Sequence, residues 1–193
     1  MIKLNRPACP YPAALENGNY KHPRNKEALK NASFDKCMYC ESKISHIDFA
    51  HVEHIKPKAD GKFPELEFDW DNLGYACPKC NNAKSDKYYA ECPYINPYRD
   101  DPDEHFFAAG TFLFIKNGSE SADLTIRDIK LNRPELLEVR FTRINEIQKT
   151  LNACHRCTSP VLKQLLLDEL ESEASEDKEF SFFVKAILAA HAA

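Results

Sequence analysis

Apolar and polar positions change period along the chain, and the changes mark its elements. "SHIDFAHVEHI" (45–55) interleaves β-branched and aromatic residues with polar ones, which predicts a strand or an irregular hairpin arm stopped by Pro57. "NLGYAC" (72–77) reads as a second short strand, and Gly61 and Pro64 punctuate the loop of 58–71 between them. Helices are expected over "RNKEALKNAS" (24–33) and, directly after a cysteine pair, "NNAKSDKYYA" (81–90). The Pro- and Asp-rich "CPYINPYRDDPD" (92–103) marks a boundary, and "EHFFAAGTFLFIKNG" predicts a hairpin turning at Ala109–Gly110. The remainder is helical, roughly 122–130, 133–155, 160–173 and 177–191. Pro134 and Pro160 suit first helical positions, Ser159 suits an N-cap, and Leu162, Leu165, Leu166 and Leu170 share one face. The expected class is α+β, organised as a module over 1–95 and a hairpin plus helical region over 96–193.

Composition changes this picture little. Of 193 residues, 43% are hydrophobic and 29% charged, as in a soluble globular protein. No apolar run is long enough to span a bilayer, and "MIKLNRPACPYP" holds no hydrophobic signal core, so a cytoplasmic location is expected. In that compartment eight cysteines are metal ligands or free thiols rather than a disulfide framework. Charge is more informative by halves. Residues 1–90 carry 14 Lys and Arg against 12 Asp and Glu (+2), whereas 91–193 carry 12 against 18 (−6). Lys56, Lys58, Lys62, Lys79, Lys84 and Lys87 crowd the first half, which suits a phosphate-bearing partner despite the overall −4.

The strongest chemical signal is "CMYC" (37–40) with "CPKC" (77–80). Each two-residue spacer lets a tight turn present two thiolates, and together Cys37, Cys40, Cys77 and Cys80 make a four-cysteine zinc frame. Two unrelated pairs of buried thiols are the bland alternative. Four thiolates leave no open position, so such a zinc is structural. "CHRC" (154–157) lacks a second pair and reads as core thiols, while Cys9 and Cys92 carry no assignment.

Inside this frame stand Glu53 and His54, then Asn72, and just after its last cysteine Asn81, three residues before Lys84. An acid–His pair alone is incidental more often than not, and an Asn after a cysteine means nothing by itself. In this order, "EHIKP" (53–57), "DNL" (71–73) and "CNNAK" (80–84) resemble the HNH endonucleases, whose ββα-metal fold is a hairpin followed by a helix. The third signature residue is Asn81 rather than His, a variant also found in the HNH domains of CRISPR effector nucleases.

The resemblance implies a zinc-stapled ββα-metal core with a mainly helical C-terminal half. It implies that Glu53 and Asn81 hold a catalytic Mg²⁺ or Mn²⁺, that His54 is the general base, and that Asn72 pins the inter-strand loop. Lys84 and His51 are candidate phosphate contacts; His51 shares Glu53's face of the strand and could also be a ligand or a structural residue, and His46 lies upstream.

A wider stretch, including "MIKLNRPACP", "NPYRDDPDEHF" (96–106) and "TIRDIKLNRPELLEVR" (125–140), resembles the HNH nucleases of the Septu and retron anti-phage systems. That likeness implies an ATPase partner subunit resembling PtuA. The expected function is a metal-dependent endonuclease acting on nucleic acid, DNA first and RNA as the alternative. A non-catalytic zinc-stapled adaptor for nucleic acid or protein is the competing reading, and a redox-sensing thiol protein the third. Residues 168–179, with seven acids and one Lys, make a poor phosphate surface. The leucines and phenylalanines around them either dock a partner or complete the helical core.

Overall fold

The computed structural model describes residues 1–44 and 49–192. His46 and the start of the expected first strand lie outside the described residues. Strand β1 (His51–His54) pairs antiparallel with β2 (Leu73–Ala76), with His51 opposite Ala76, Glu53 opposite Gly74 and His54 opposite Leu73. Helix α3 (Pro78–Lys84) follows at once, so hairpin and helix form the ββα unit. It starts three residues earlier than the sequence suggested. Pro78 occupies its first turn, and the Cys77 sulfur caps it by accepting from the Cys80 amide at 3.4 Å. It also ends early, because Ser85 takes a left-handed φ of 53°.

Two short helices, α1 (Pro12–Glu16) and α2 (Pro23–Ala32), precede the hairpin. The first cysteine knuckle is tied to β2 by the Met38 amide on the Tyr75 carbonyl at 2.9 Å. Gly74 leaves the space that the Met38 thioether fills, so no Cβ fits at that point of β2.

Past Asp101, which caps the short α4 (Pro102–His105), the predicted hairpin forms as β3 (Phe106–Ala109) and β4 (Phe112–Ile115). Its inner residues Phe106 and Leu113 are buried. Phe107, Phe112 and Phe114 remain exposed, with Phe107 and Phe114 stacked at 5.3 Å. Four helices complete the chain: α5 (Glu120–Asp128), α6 (Pro134–Arg156), α7 (Pro160–Glu173) and α8 (Ser181–Ala192). Ser119 and Ser159 cap α5 and α7, each accepting from a backbone amide three residues on.

One hydrophobic cluster runs across residue 95, joining Leu29, Met38 and Tyr75 to Phe106, Ile129, Phe180 and Phe183. The Glu41 carboxylate, beside the first knuckle, strengthens the junction. It accepts from the Ser181 hydroxyl at 3.0 Å and the Phe182 amide at 3.3 Å, and pairs with Lys36 at 3.4 Å. On the apolar face expected on α7, Leu170 is buried and Leu166 half-buried, whereas Leu162 and Leu165 are 50% and 60% exposed, as is neighbouring Val161 at 73%. Among the described residues, no helix is long and apolar enough to cross a membrane.

Candidate metal centre and active-site cleft

The two knuckles meet. The sulfurs of Cys37, Cys40, Cys77 and Cys80 all lie within 4.8 Å of one another, with Cys40 and Cys77 3.9 Å apart. A tetrahedral zinc with bonds of about 2.3 Å needs sulfurs about 3.8 Å apart, so the donor set fits that ion. Among the described residues this is the one cluster of three or more His, Cys, Asp or Glu suited to a metal. Arg133, at the start of α6, donates to the Cys80 sulfur at 3.4 Å and sets a cation beside the thiolates. The other cysteines stand apart: Cys154 is buried, Cys157 ends α6, Cys9 contacts Asn25 and Cys92 contacts Ser121.

Beside the frame opens a cleft of about 740 Å³, lined by His51, Glu53 and His54 from β1 and Asn81 from α3. His54 is half-buried, and its Nε2 lies 2.9 Å from the Glu67 carbonyl. A carbonyl only accepts, so Nε2 carries the proton and the Nδ1 lone pair is left available. Burial pushes the imidazole below its ordinary 6.5; the Glu67 carbonyl opposes this and the nearby Lys58 ammonium reinforces it. The ring is therefore neutral at pH 7. Tyr20 packs edge-on against it at 4.7 Å, and the Tyr20 hydroxyl accepts from Lys58 at 3.1 Å.

Asn72 is buried and belongs to the scaffold. Its Oδ1 accepts from the Lys56 amide at 2.7 Å, and its Nδ2 donates to the carbonyls of Lys56 at 2.9 Å and Leu66 at 3.1 Å. These bonds tie the end of β1 to the loop that delivers the Glu67 carbonyl. Arg6 anchors the same loop by donating to the carbonyls of Trp70, Asp71 and Leu73 while stacking over Tyr98 at 3.8 Å.

Glu53 and Lys84 differ most from the sequence expectation. Their side chains, each 1% exposed, pair at 2.7 Å, and Lys84 also donates to the His54 carbonyl at 2.8 Å. Lys84 is thus no contact for a phosphate in the cleft: its ammonium is committed beneath the site. The Glu53 carboxylate offsets the cost of burying this ammonium. Tyr39 donates to the same oxygen, Glu53 Oε1, at 3.2 Å. Burial pushes the Glu53 carboxyl upward, against the lowering effects of Lys84 and Tyr39. Above this buried pair, Asn81 Nδ2 meets His51 Nδ1 at 2.8 Å.

Basic side chains reach the cleft from an unexpected source, though its four carboxylates (Glu53, Asp60, Glu67 and Asp86) outnumber its three lysines. Of the six clustered lysines, Lys58 lines the cleft, joined by Lys21 and Lys26 from the N-terminal segment, with Asp60, Glu67 and Asp86 interspersed. Tyr20, Lys21 and Lys26 precede the cysteine frame and carry no spacing signal. Glu67 contributes a backbone carbonyl, which no residue pattern marks.

The HNH endonuclease family model matches residues 37–87, from the first knuckle to just past α3. The Septu protein PtuB of Bacillus mycoides (strain KBAB4) is 30% identical over 158 residues, covering 67% of this chain and 54% of that protein. The Septu protein PtuB of Bacillus thuringiensis is 29% identical over 221 residues, covering 97% of this chain and 82% of that protein. The retron Vc95 HNH protein of Vibrio cholerae serotype O1 biovar El Tor is 30% identical over 157 residues, covering 72% and 74%. The match thus spans about half the length of the first of these relatives.

Proposed function

The chain belongs to the HNH endonuclease family, and on that premise we propose that it hydrolyses phosphodiester bonds of nucleic acid, DNA in the first place and RNA as the alternative. The observation that carries this reading is His54, neutral and pinned through Nε2 by the Glu67 carbonyl, in one cleft with Asn81 and beside the cysteine frame. His54 Nδ1 takes a proton from a water aligned against phosphorus, and the products are a 5′ phosphate and a 3′ hydroxyl. A divalent ion, Mg²⁺ or Mn²⁺, supplies charge neutralisation at the phosphorane and the leaving oxygen when bound. Asn81 would hold it through its side-chain oxygen and Glu53 through Oε2, since the bonds from Lys84 and Tyr39 both fall on Oε1. Asn72 positions the base through the loop. Lys21, Lys26 and Lys58 draw the substrate backbone into the cleft. Zinc on the four cysteines is structural.

Similarity to the Septu and retron proteins supports a place in anti-phage defence beside an ATPase subunit resembling PtuA. The exposed apolar residues of α7 are the docking surface this reading assigns to that subunit, which makes 96–193 the partner-facing region. The experiment is cleavage of DNA and RNA by His54→Ala against the wild type, with the partner and ATP present and absent. Loss of cutting at unchanged zinc content supports the nuclease. Full-rate cutting by the variant refutes the role of His54. No Mg²⁺-dependent cutting by zinc-replete wild type on any substrate favours the adaptor.

A further inference from the structure

Strand alternation puts His51 and Glu53 on one face of β1, and one helical turn puts Asn81 and Lys84 on one face of α3. The two elements therefore meet in two rungs. The inner rung, Glu53–Lys84, is buried, and its charges meet through Glu53 Oε1 at the floor of the cleft. The outer rung, His51–Asn81, is half-buried and borders the cleft. We infer that His51 is a nitrogen ligand of the catalytic divalent ion, bound through Nδ1 beside the Asn81 amide oxygen. This rests on the nuclease reading only for the presence of such an ion.

One contact supports it. Asn81 Nδ2 points at His51 Nδ1 from 2.8 Å. An amide nitrogen donates, so Nδ1 offers a lone pair there. Turning the Asn81 amide by half a revolution replaces its nitrogen with Oδ1, which leaves two lone-pair donors facing each other. Adjacent ligands of an octahedral ion with bonds of about 2.1 Å lie about 3.0 Å apart, close to the spacing already present. An ion held by both atoms would lie to one side of the line joining them, displacing the present hydrogen bond. Waters and substrate phosphate fill the remaining positions from the cleft.

An imidazole in the ligand set also says which ion is favoured. Oxygen-only sites suit Mg²⁺, whereas mixed nitrogen–oxygen sites favour later divalent metals, Mn²⁺ among those that support phosphodiester hydrolysis. His51 therefore tilts the site from Mg²⁺ towards Mn²⁺, which the carboxylate and amide alone would not do.

The test uses the full chain with its zinc site filled, loaded with Mn²⁺ and read by electron spin-echo envelope modulation for ¹⁴N coupled to the manganese. Expected are ¹⁴N modulation in the wild type and in His54→Ala, its loss in His51→Gln, and Mn²⁺ affinity lowered about tenfold or more in His51→Gln with Mg²⁺ affinity changed less. A second variant, Asn81→Asp, adds a carboxylate and should tighten Mn²⁺ binding while keeping the modulation. Bound manganese without ¹⁴N modulation, modulation that survives His51→Gln, modulation lost only in His54→Ala, or no bound manganese in the wild type overturns the assignment. The nuclease reading fails separately, through full-rate cutting by His54→Ala.

Discussion

Lys84→Met removes the ammonium from a pair whose side chains are each 1% exposed and leaves Glu53 with the Tyr39 hydroxyl at 3.2 Å. A buried carboxylate in that position takes up a proton, because burial already pushes it above its ordinary 4.5 and Lys84 is the main restraint. Holding a carboxyl protonated at pH 7 against an ordinary 4.5 costs about 3.4 kcal/mol, at about 1.36 kcal/mol per pH unit. The His54 carbonyl loses its Lys84 donor, adding about 1 kcal/mol. The expected loss is about 4 kcal/mol, within the range of about 3–5 for breaking a buried pair from one side.

Urea unfolding of zinc-replete protein without added Mg²⁺, at pH 7 and pH 5, measures it. The sign follows from linkage. A carboxyl raised on folding gives stability at low pH that is lost as pH rises through its folded value. The variant's carboxyl is raised further than the wild type's, so the penalty must shrink on acidification. At pH 5 the protonation cost is about 0.8 kcal/mol, which shrinks the penalty by about 2–3 kcal/mol. A loss below about 1 kcal/mol, or one equal at both pH values, would refute the reasoning: Glu53 would then be keeping its charge without Lys84.

The remaining expectations concern the base, the zinc and one glycine. His54 sits below its ordinary 6.5 and must be unprotonated to act, so the acid limb of kcat/KM should inflect below pH 6.5; an inflection above it contradicts the environment described. Stripping zinc should remove about 10 kcal/mol or more of binding free energy, comparable to a domain's whole stability, so cooperative unfolding should vanish and return with Zn²⁺. A native circular-dichroism spectrum that survives complete zinc removal would count against the frame. Gly74→Ala drives a methyl into the Met38 thioether and should cost about 1–3 kcal/mol in urea titrations, and unchanged stability would mean that Met38 swings aside freely.

Much of this protein was legible along the chain because local rules wrote it. The paired cysteine knuckles, the two short strands, the hairpin after residue 103 and the proline-initiated α6 and α7 all depend on neighbours a few residues away. The start of α3 is hidden for a related reason: the cysteine knuckle is itself the helix's first turn, with Cys77 as cap, so the metal motif and the helix overlap. By its type and position Lys84 reads as a phosphate contact, because lysine seldom loses water. Only the packing of α3 on β1 supplies the carboxylate, 31 positions earlier, that makes burial tolerable.

The same holds for the surroundings of His54, where Tyr20, Lys58 and the Glu67 carbonyl converge from both sides of the frame. On α7, periodicity fixed which residues share a face, yet whether that face is covered depends on what packs against it. In this fold only Leu170 is sealed in. Sequence therefore determined the elements and the metal-binding frame, since both follow from backbone propensity and ligand spacing. Tertiary structure alone decided which charges lose their water and which stay in the cleft, because desolvation is imposed by atoms distant in the chain.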